Sequence, residues 1–502
     1  MPTSQKSFAV VSRHAFAGAA LAAWSLAGSA AAQSPAPART AAETNLNLQD
    51  FDFVTEKLRL NYAGWDTKVT DKTRPKLEAL TKRLREEAAT APPERFAEIL
   101  NEWLGFFGDR HIGCMPIGPS SAKTAGETPT LDWNEASVRA QLDALGTRRE
   151  ELEGIWRIAG DRYRVGVLRT PGTDGDFSAV VLDTKAETWK AGQEKARLTR
   201  GADGALRGLY RTGDHSSQQV RAKLIGGGAA LELDRFGVWT REFPAPPQGF
   251  EIDRVAPSPE LFLKPLSKST MWLRLPDFNT DRIEPLKELL ASHANELASF
   301  PNLLIDLRDN GGGSDYTYQP IIDLLYTRPI YTVGVEFRAT EDNVALHRIT
   351  ADALRASQPE LAESFDRVVA RLAANIGNYV QVHDKPYSID RRDKVLPLPK
   401  RVAILIDGAA SSGEQFLLEA RQSRKVTLFG QRNSAGILDF ANVVEMGTPS
   451  GRWKMFWATS RSLRLPDEPV DPDGIAPDIR IDRKSTRLNS SHSSVSRMPS
   501  SA

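Results

Sequence analysis

The chain has 502 residues, 65 of them basic and 64 acidic, with 40% apolar residues and one cysteine. This is the composition of a globular chain of roughly two to four domains, and it excludes a disordered chain, a collagen and a miniprotein stapled by disulfides. The near-zero charge hides an asymmetry: Lys6, Arg13, Arg483, Lys484, Arg487 and Arg497 stand in end segments that hold no acid, so the body between them is mildly acidic. An acidic body argues against a nucleic-acid partner, which needs a basic surface that releases counterions.

Residues 1–32 start weakly basic, continue in an Ala-rich apolar run from Ala15 to Gly28 and end in Ala30-Ala31-Ala32. That is the pattern of a secretory signal peptide. Its apolar run is too short for a bilayer, which takes about twenty residues, so an exported chain with no membrane span is expected, periplasmic or extracellular. Cys114 has no partner for a disulfide and cannot build a Cys-based metal site.

After a Pro/Ala/Thr-rich linker, residues 45–118 show helical spacing, with Phe96, Ile99, Leu100, Leu104 and Phe107 on one face, and predict a small helical domain. Residues 150–245 change to period two through Tyr163, Val165 and Val167, then Phe177, Ala179 and Val181, then Leu231 and Leu233, with glycine-containing turns between them. This predicts an inserted β-rich module. Residues 251–482 alternate strand and helix: strands at Met271 to Leu275, Leu303 to Leu307, Val402 to Ile406 and Val426 to Phe429, and a helix face of Ile283, Leu286, Leu289, Leu290 and Leu297. The alternation predicts an α/β domain with its chemistry at the C-terminal ends of the strands. Residues 483–502 are Ser-rich, basic and aperiodic, a tail unable to bury enough apolar surface to order itself.

Ser411 stands where a buried strand gives way to a helix, in Gly408-Ala-Ala-Ser411-Ser-Gly413-Glu414. The first N–H groups of a helix have no intrahelical acceptor and can hold an oxyanion. The same Ser-x-x-Glu spacing is also a capping box, which needs no function, and the order is not the G-x-S-x-G elbow. Gly311-Gly312-Gly313 ends another buried strand and offers a second set of backbone donors, or simply a permissive turn. It lacks the spacing of a P-loop or a dinucleotide fingerprint, so no nucleotide cofactor is expected.

A hydroxyl nucleophile needs a base, and the body holds His111, His215, His293, His347 and His383. His293 falls on the apolar face with Leu286 and Leu290 and reads as a packed core residue. His215 lies in a turn, and His347 and His383 lie in polar, mixed segments. His111 follows Gly108-Asp109-Arg110 at the end of an apolar helix. No two histidines have metal-ligand spacing, so no metal is expected.

These pieces resemble the tail-specific or C-terminal processing serine peptidases and their tricorn-like relatives. The resemblance rests on PNLLIDLRDNGGGSDY at 301–316, VAILIDGAASSGEQF at 402–416, VTLFGQRNSAG at 426–436 and VDPDGIAPDI at 470–479, in the family's order. It implies a ClpP/crotonase-like α/β core and a peptide or unfolded protein as substrate. By the same resemblance the nucleophile is Ser411, with Glu414 lining the site and an oxyanion hole made of the Ser412 N–H and one from Gly312 or Gly313. The processing branch takes its base from a lysine some twenty-five residues after the serine. That place is Gly436 here, and no lysine stands between Lys425 and Lys454. The tricorn-like branch uses a histidine in a D-G-H-type motif, which Asp109-Arg110-His111 matches with Arg110 in place of the usual small residue. Its remaining carboxylate precedes a G-[IV]-x-P-D segment, which points to Asp471, with Glu468 as the alternative. Both also read as members of a solvated acidic loop. The atypical Arg110 and Asp471 leave open a non-catalytic ligand- or peptide-binding protein on the same fold, and a thioester enzyme of crotonase type is the third reading. The β-rich module carries no recognisable PDZ carboxylate-binding loop.

Overall fold

The structure, a computed structural model, describes residues 41–117, 128–158, 163–173, 175–201, 204–213, 215, 217–233, 236–246 and 257–481. The signal segment 1–32 and the tail 483–502 lie outside the described residues.

Four helices open the chain: α1 (Ala41–Asn61), α2 (Trp65–Lys68), α3 (Arg74–Ala88) and α4 (Pro93–Gly105). The predicted face of α4 is buried, with Phe96, Ile99, Leu100 and Leu104 each at most 5% exposed. These helices do not close a core of their own. Phe51, Leu58, Phe96, Trp103 and Phe107 share one cluster with Phe440, Trp453, Met455 and Trp457 from the other end of the chain. Burial of a side chain such as Phe96 contributes about 1.5–3 kcal/mol, so the shared cluster holds the helical segment to the C-terminal strands. Strand β1 (Gly113–Pro116) completes the junction by pairing antiparallel with Trp453 to Phe456.

Helix α5 (Glu135–Leu145) follows, started by Asn134, whose side chain accepts from Ser137 N–H while Ser137 Oγ accepts from Asn134 N–H. Eight strands, β2 to β9, then run between Gly154 and Phe243 and close into a barrel, so the module has no free sheet edge. The period-two residues fill it: Tyr163, Val165, Val167, Phe177, Ala179, Val181, Leu231 and Leu233 belong to one buried cluster with Trp156 and Trp239. The Lys195 ammonium is also inside, 4.0 Å from the ring centre of Trp189 and 4.3 Å from that of Tyr163.

The α/β part contains β10 (Phe262–Ser267), β11 (Thr270–Arg274), α6 (Ile283–Ser292), α7 (Ala294–Leu297), β12 (Asn302–Asp306), α8 (Asp315–Leu325), β13 (Ile330–Val333), β14 (Val335–Arg338), α9 (Glu341–Leu354), α10 (Pro359–Ala373), β15 (Tyr379–Gln381), β16 (Tyr387–Asp390), β17 (Arg401–Leu405), α11 (Ser412–Ala420), β18 (Val426–Gly430), β19 (Phe440–Gly447), β20 (Trp453–Ser462) and β21 (Ile479–Arg480). Its main sheet runs β10-β11-β12-β17-β18-β21, parallel except for the β10 edge. Both faces of the central strands are apolar because helices cover them. Strands β1, β14, β15, β19 and β20 make the second sheet, on which the N-terminal helices pack.

Two histidines are placed differently from their sequence reading. His293 is a half-buried residue at the break between α6 and α7, its ring Nδ1 beside Leu289 O, and not part of the core. His347 is 1% exposed. It lies between Asn343 and Ala351 on the buried face of α9, at four-residue spacing, which the polar residues around it conceal in the sequence. No described helix is long and apolar enough to cross a membrane.

Candidate active site

Strands β12 and β17 are parallel neighbours, with Asp306 opposite Leu405, so the loops that leave their C-terminal ends lie side by side. Two backbone hydrogen bonds bind them: Asp309 N–H donates to Asp407 O at 2.8 Å and Ala410 N–H to Asn310 O at 2.9 Å. Ser411 ends the second loop at φ 52°, ψ −117°, partly exposed, immediately before α11. A non-glycine residue there carries strain of about 1–3 kcal/mol, which persists only where the surroundings over-determine it.

Ser412 N–H and Gly313 N–H meet no acceptor among the described residues. The Ser412 hydroxyl donates to Gly313 O at 3.0 Å and so ties the two loops across the site. Gly312 corrects an expectation: its N–H donates to Asn310 Oδ1 at 2.8 Å, so of the two expected donors in this turn Gly313 keeps its N–H free and Gly312 does not. Gly312 is needed for another reason. At φ +87° a Cβ there would stand 2.6 Å from Ala410 O and 2.8 Å from Ser411 Cβ, whereas a Cβ at Gly311 would meet nothing within 4 Å. Gly312→Ala is therefore expected to lower kcat by about 100-fold, the usual result of displacing reacting groups by about 1 Å. Gly311→Ala should stay near wild type, and steady-state kinetics on the pair checks the contrast; equal effects would remove this account of Gly312.

Glu414, fully buried, holds the turn in place. Its Oε2 accepts from Ser411 N–H at 3.1 Å and Ile437 N–H at 2.9 Å, and its Oε1 from Ser434 Oγ at 2.6 Å and Gly436 N–H at 2.7 Å. Burial raises its pKa and these donors oppose the rise. The neighbouring N–H groups, of Leu438 and Asp439, go to Asp471 Oδ1 at 2.6 and 3.0 Å. Asp439 Oδ2 accepts in return from Val470 and Asp471 N–H at 2.6 and 2.9 Å. Residues 437 and 438 thus link the anchor of Ser411 to Asp471. Gly474 packs on this junction, since a Cβ there would stand 2.4 Å from Ser434 O.

Asp471 feels the charge of Asp109, in the loop that carries His111. Its pKa is pushed up to about 7, by burial first and then by the charges of Asp439 and Asp109, against the donors from residues 438 and 439. His111 is 6% exposed, and its Nδ1 is enclosed without a hydrogen-bond partner among the described residues. Its backbone N–H donates to Asp109 Oδ1 at 2.7 Å, and Asp109 Oδ2 accepts from the Tyr62 hydroxyl at 2.6 Å.

Glu468 is not part of this arrangement. It is exposed, its N–H bonded to Arg464 O in a turn, because the chain buries only Val470 onward against the α/β core. Lys425 lies at the opposite end of β18 from the site, its Nζ 2.8 Å from Leu396 O. Asn310, Asp439 and Tyr62 were not singled out by sequence reasoning. Asn310 stands within the quoted glycine motif, but Tyr62 and Asp439 carry no local signal. Among the described residues no group of His, Cys, Asp and Glu side chains could hold a metal ion.

A parallel sheet with a strained serine at one strand end and backbone donors without acceptors beside it is an arrangement suited to a serine hydrolase. Residues 269–481, the α/β part of the chain, match the family model of Peptidase family S41, and this part is a serine-type peptidase core similar to the tail-specific and C-terminal processing enzymes. No curated protein matches the chain. Among solved structures it is similar to mature CPAF, with a TM-score of 0.45 and 13% identity over 88% of this chain and 93% of that one. It is also similar to the photosystem II D1 C-terminal processing protease, with a TM-score of 0.36 and 11% identity over 87% and 93% of the two chains.

Proposed function

We propose that the chain cleaves peptides or unfolded proteins by a Ser-His mechanism of the tricorn-like kind, with Ser411 as nucleophile, His111 as general base and Asp471 as the carboxylate that orients it. Ser411 Oγ attacks the scissile carbonyl carbon as its proton passes to His111. The tetrahedral oxyanion takes hydrogen bonds from Ser412 and Gly313 N–H, a contribution of roughly 3–4 kcal/mol per donor in such sites. His111 then returns the proton to the leaving amine, and water repeats the sequence on the acyl-enzyme. The observation that carries this reading is the strained Ser411 turn with two unbonded N–H groups beside it. The absence of lysine between Lys425 and Lys454 removes the alternative base. The signal pattern at 1–32 supports export, to a periplasm or beyond the cell.

A fluorophosphonate probe tests the nucleophile: labelling at Ser411 is expected, and labelling absent from the intact protein would favour a binding protein on this fold. The pH dependence tests the carboxylate. Asp471, raised to about 7, orients an imidazole only when ionised, so kcat/KM should fall as the pH drops through about 7. Activity flat down to pH 5 would exclude Asp471 from this role.

A further inference from the structure

Tyr62 follows the last residue of α1 and is fully buried, far in sequence from every motif above. Its ring packs edge-on to Phe107, 5.7 Å between centres, and lies 5.8 Å from Phe440 of the second sheet. The next residue, Ala63, donates its N–H to Ala458 O in β20 at 3.0 Å. Tyr62 is thus fixed where the helical segment meets the C-terminal strands, and its hydroxyl reaches Asp109 Oδ2. Asp109 spends its other oxygen on the His111 backbone N–H, just after Gly108 has turned the chain at φ +58°. One carboxylate therefore bridges the seat of the helical segment and the backbone of His111. Burial and the Asp109 charge hold the Tyr62 hydroxyl in its protonated, donating form.

We propose that Tyr62 and Asp109 are positioning residues for the base: Tyr62 fixes the Asp109 carboxylate, the carboxylate fixes the backbone at His111, and the aim of the imidazole depends on the helical segment being seated on the second sheet. This rests on the reading of His111 as the base. A hydrogen-bonded loop end alone would need only the Asp109 to His111 contact. The additional bond from a residue 47 positions away, itself held to a third segment, ties the base to the fold as a whole.

Tyr62→Phe keeps the ring and removes only the hydroxyl. At a temperature where circular dichroism shows the variant fully folded, kcat on an unfolded protein and the rate of fluorophosphonate labelling should each fall about tenfold, with KM within twofold of wild type. In a His111→Ala background the same substitution should leave the residual labelling rate unchanged, because what Tyr62 positions is gone; a double-mutant cycle reads this coupling directly. Unchanged kcat in Tyr62→Phe, or an equal loss in both backgrounds, overturns the proposal. Full activity of His111→Ala alone is a different failure, of the base assignment itself.

Discussion

Ser411→Ala and His111→Ala are each expected to reduce hydrolysis of an unfolded protein by about 10⁴- to 10⁶-fold, and the double variant should be no worse than the more damaged single one. On the proposed mechanism the groups act as one unit: without the hydroxyl there is no nucleophile for His111 to activate, and without the imidazole the hydroxyl keeps its proton. The residual rate is what the backbone donors and substrate binding supply alone. Neither change should unfold the protein. Ser411 is held through its N–H by Glu414, and that bond survives truncation of the side chain. The His111 N–H bond to Asp109 survives likewise. Peptidase assays with circular dichroism on each variant check both statements. Activity retained in His111→Ala but lost in Ser411→Ala would leave the nucleophile standing and remove the base.

Glu414→Ala should be among the most destabilising single substitutions in the chain, by about 4 kcal/mol or more. Four donors converge on this carboxylate: Ser411 N–H, Ser434 Oγ, Gly436 N–H and Ile437 N–H. Removing the acceptor leaves buried donors unpaired at about 1–3 kcal/mol each, less whatever relaxation recovers. Total stabilities are about 5–15 kcal/mol, so the loss should be plain as a lowered midpoint in guanidinium unfolding. Activity should fall as well, because the Ser411 N–H loses its side-chain acceptor and the segment 434–437 loses its tie to the turn. Glu414→Gln keeps the volume but turns an amide donor toward other donors, and its midpoint should lie between those of wild type and Glu414→Ala. An unchanged midpoint in Glu414→Ala would mean that the turn is held by other contacts.

Glu414 also shows how the two readings of Ser-x-x-Glu are related. The capping contact is present, since Glu414 accepts from Ser411 N–H. The same carboxylate reaches across to residues 434–437, so the contact that caps α11 also ties the Ser411 turn to a distant segment. A capping box is legible in a sequence because it is local. The bonds to Ser434, Gly436 and Ile437 are not, because they join residues twenty or more apart without a spacing rule.

The same division runs through the histidines. His293 has apolar neighbours at three and seven residues, yet its helix ends there and leaves it half-buried. His347 stands in a mixed segment and is buried, because α9 turns Asn343, His347 and Ala351 inward together. Periodicity reports which residues share a face, but the packing of the whole domain decides which face is covered.

By itself the sequence determined the order of the parts, the strand ends that carry Ser411 and Gly311 to Gly313, and the absence of a lysine between Lys425 and Lys454, because each is a matter of local pattern or of count. The tertiary structure decided that the β-rich module closes as a barrel and that the N-terminal helices share their core with Trp453 and Trp457. It also decided that Gly312 yields its N–H to Asn310 and that Asp471 is held by the Leu438 and Asp439 N–H groups while Glu468 is exposed. Those outcomes depend on burial and on hydrogen bonds between distant segments. Their energies exist only once the chain has closed, so no window of sequence contains them.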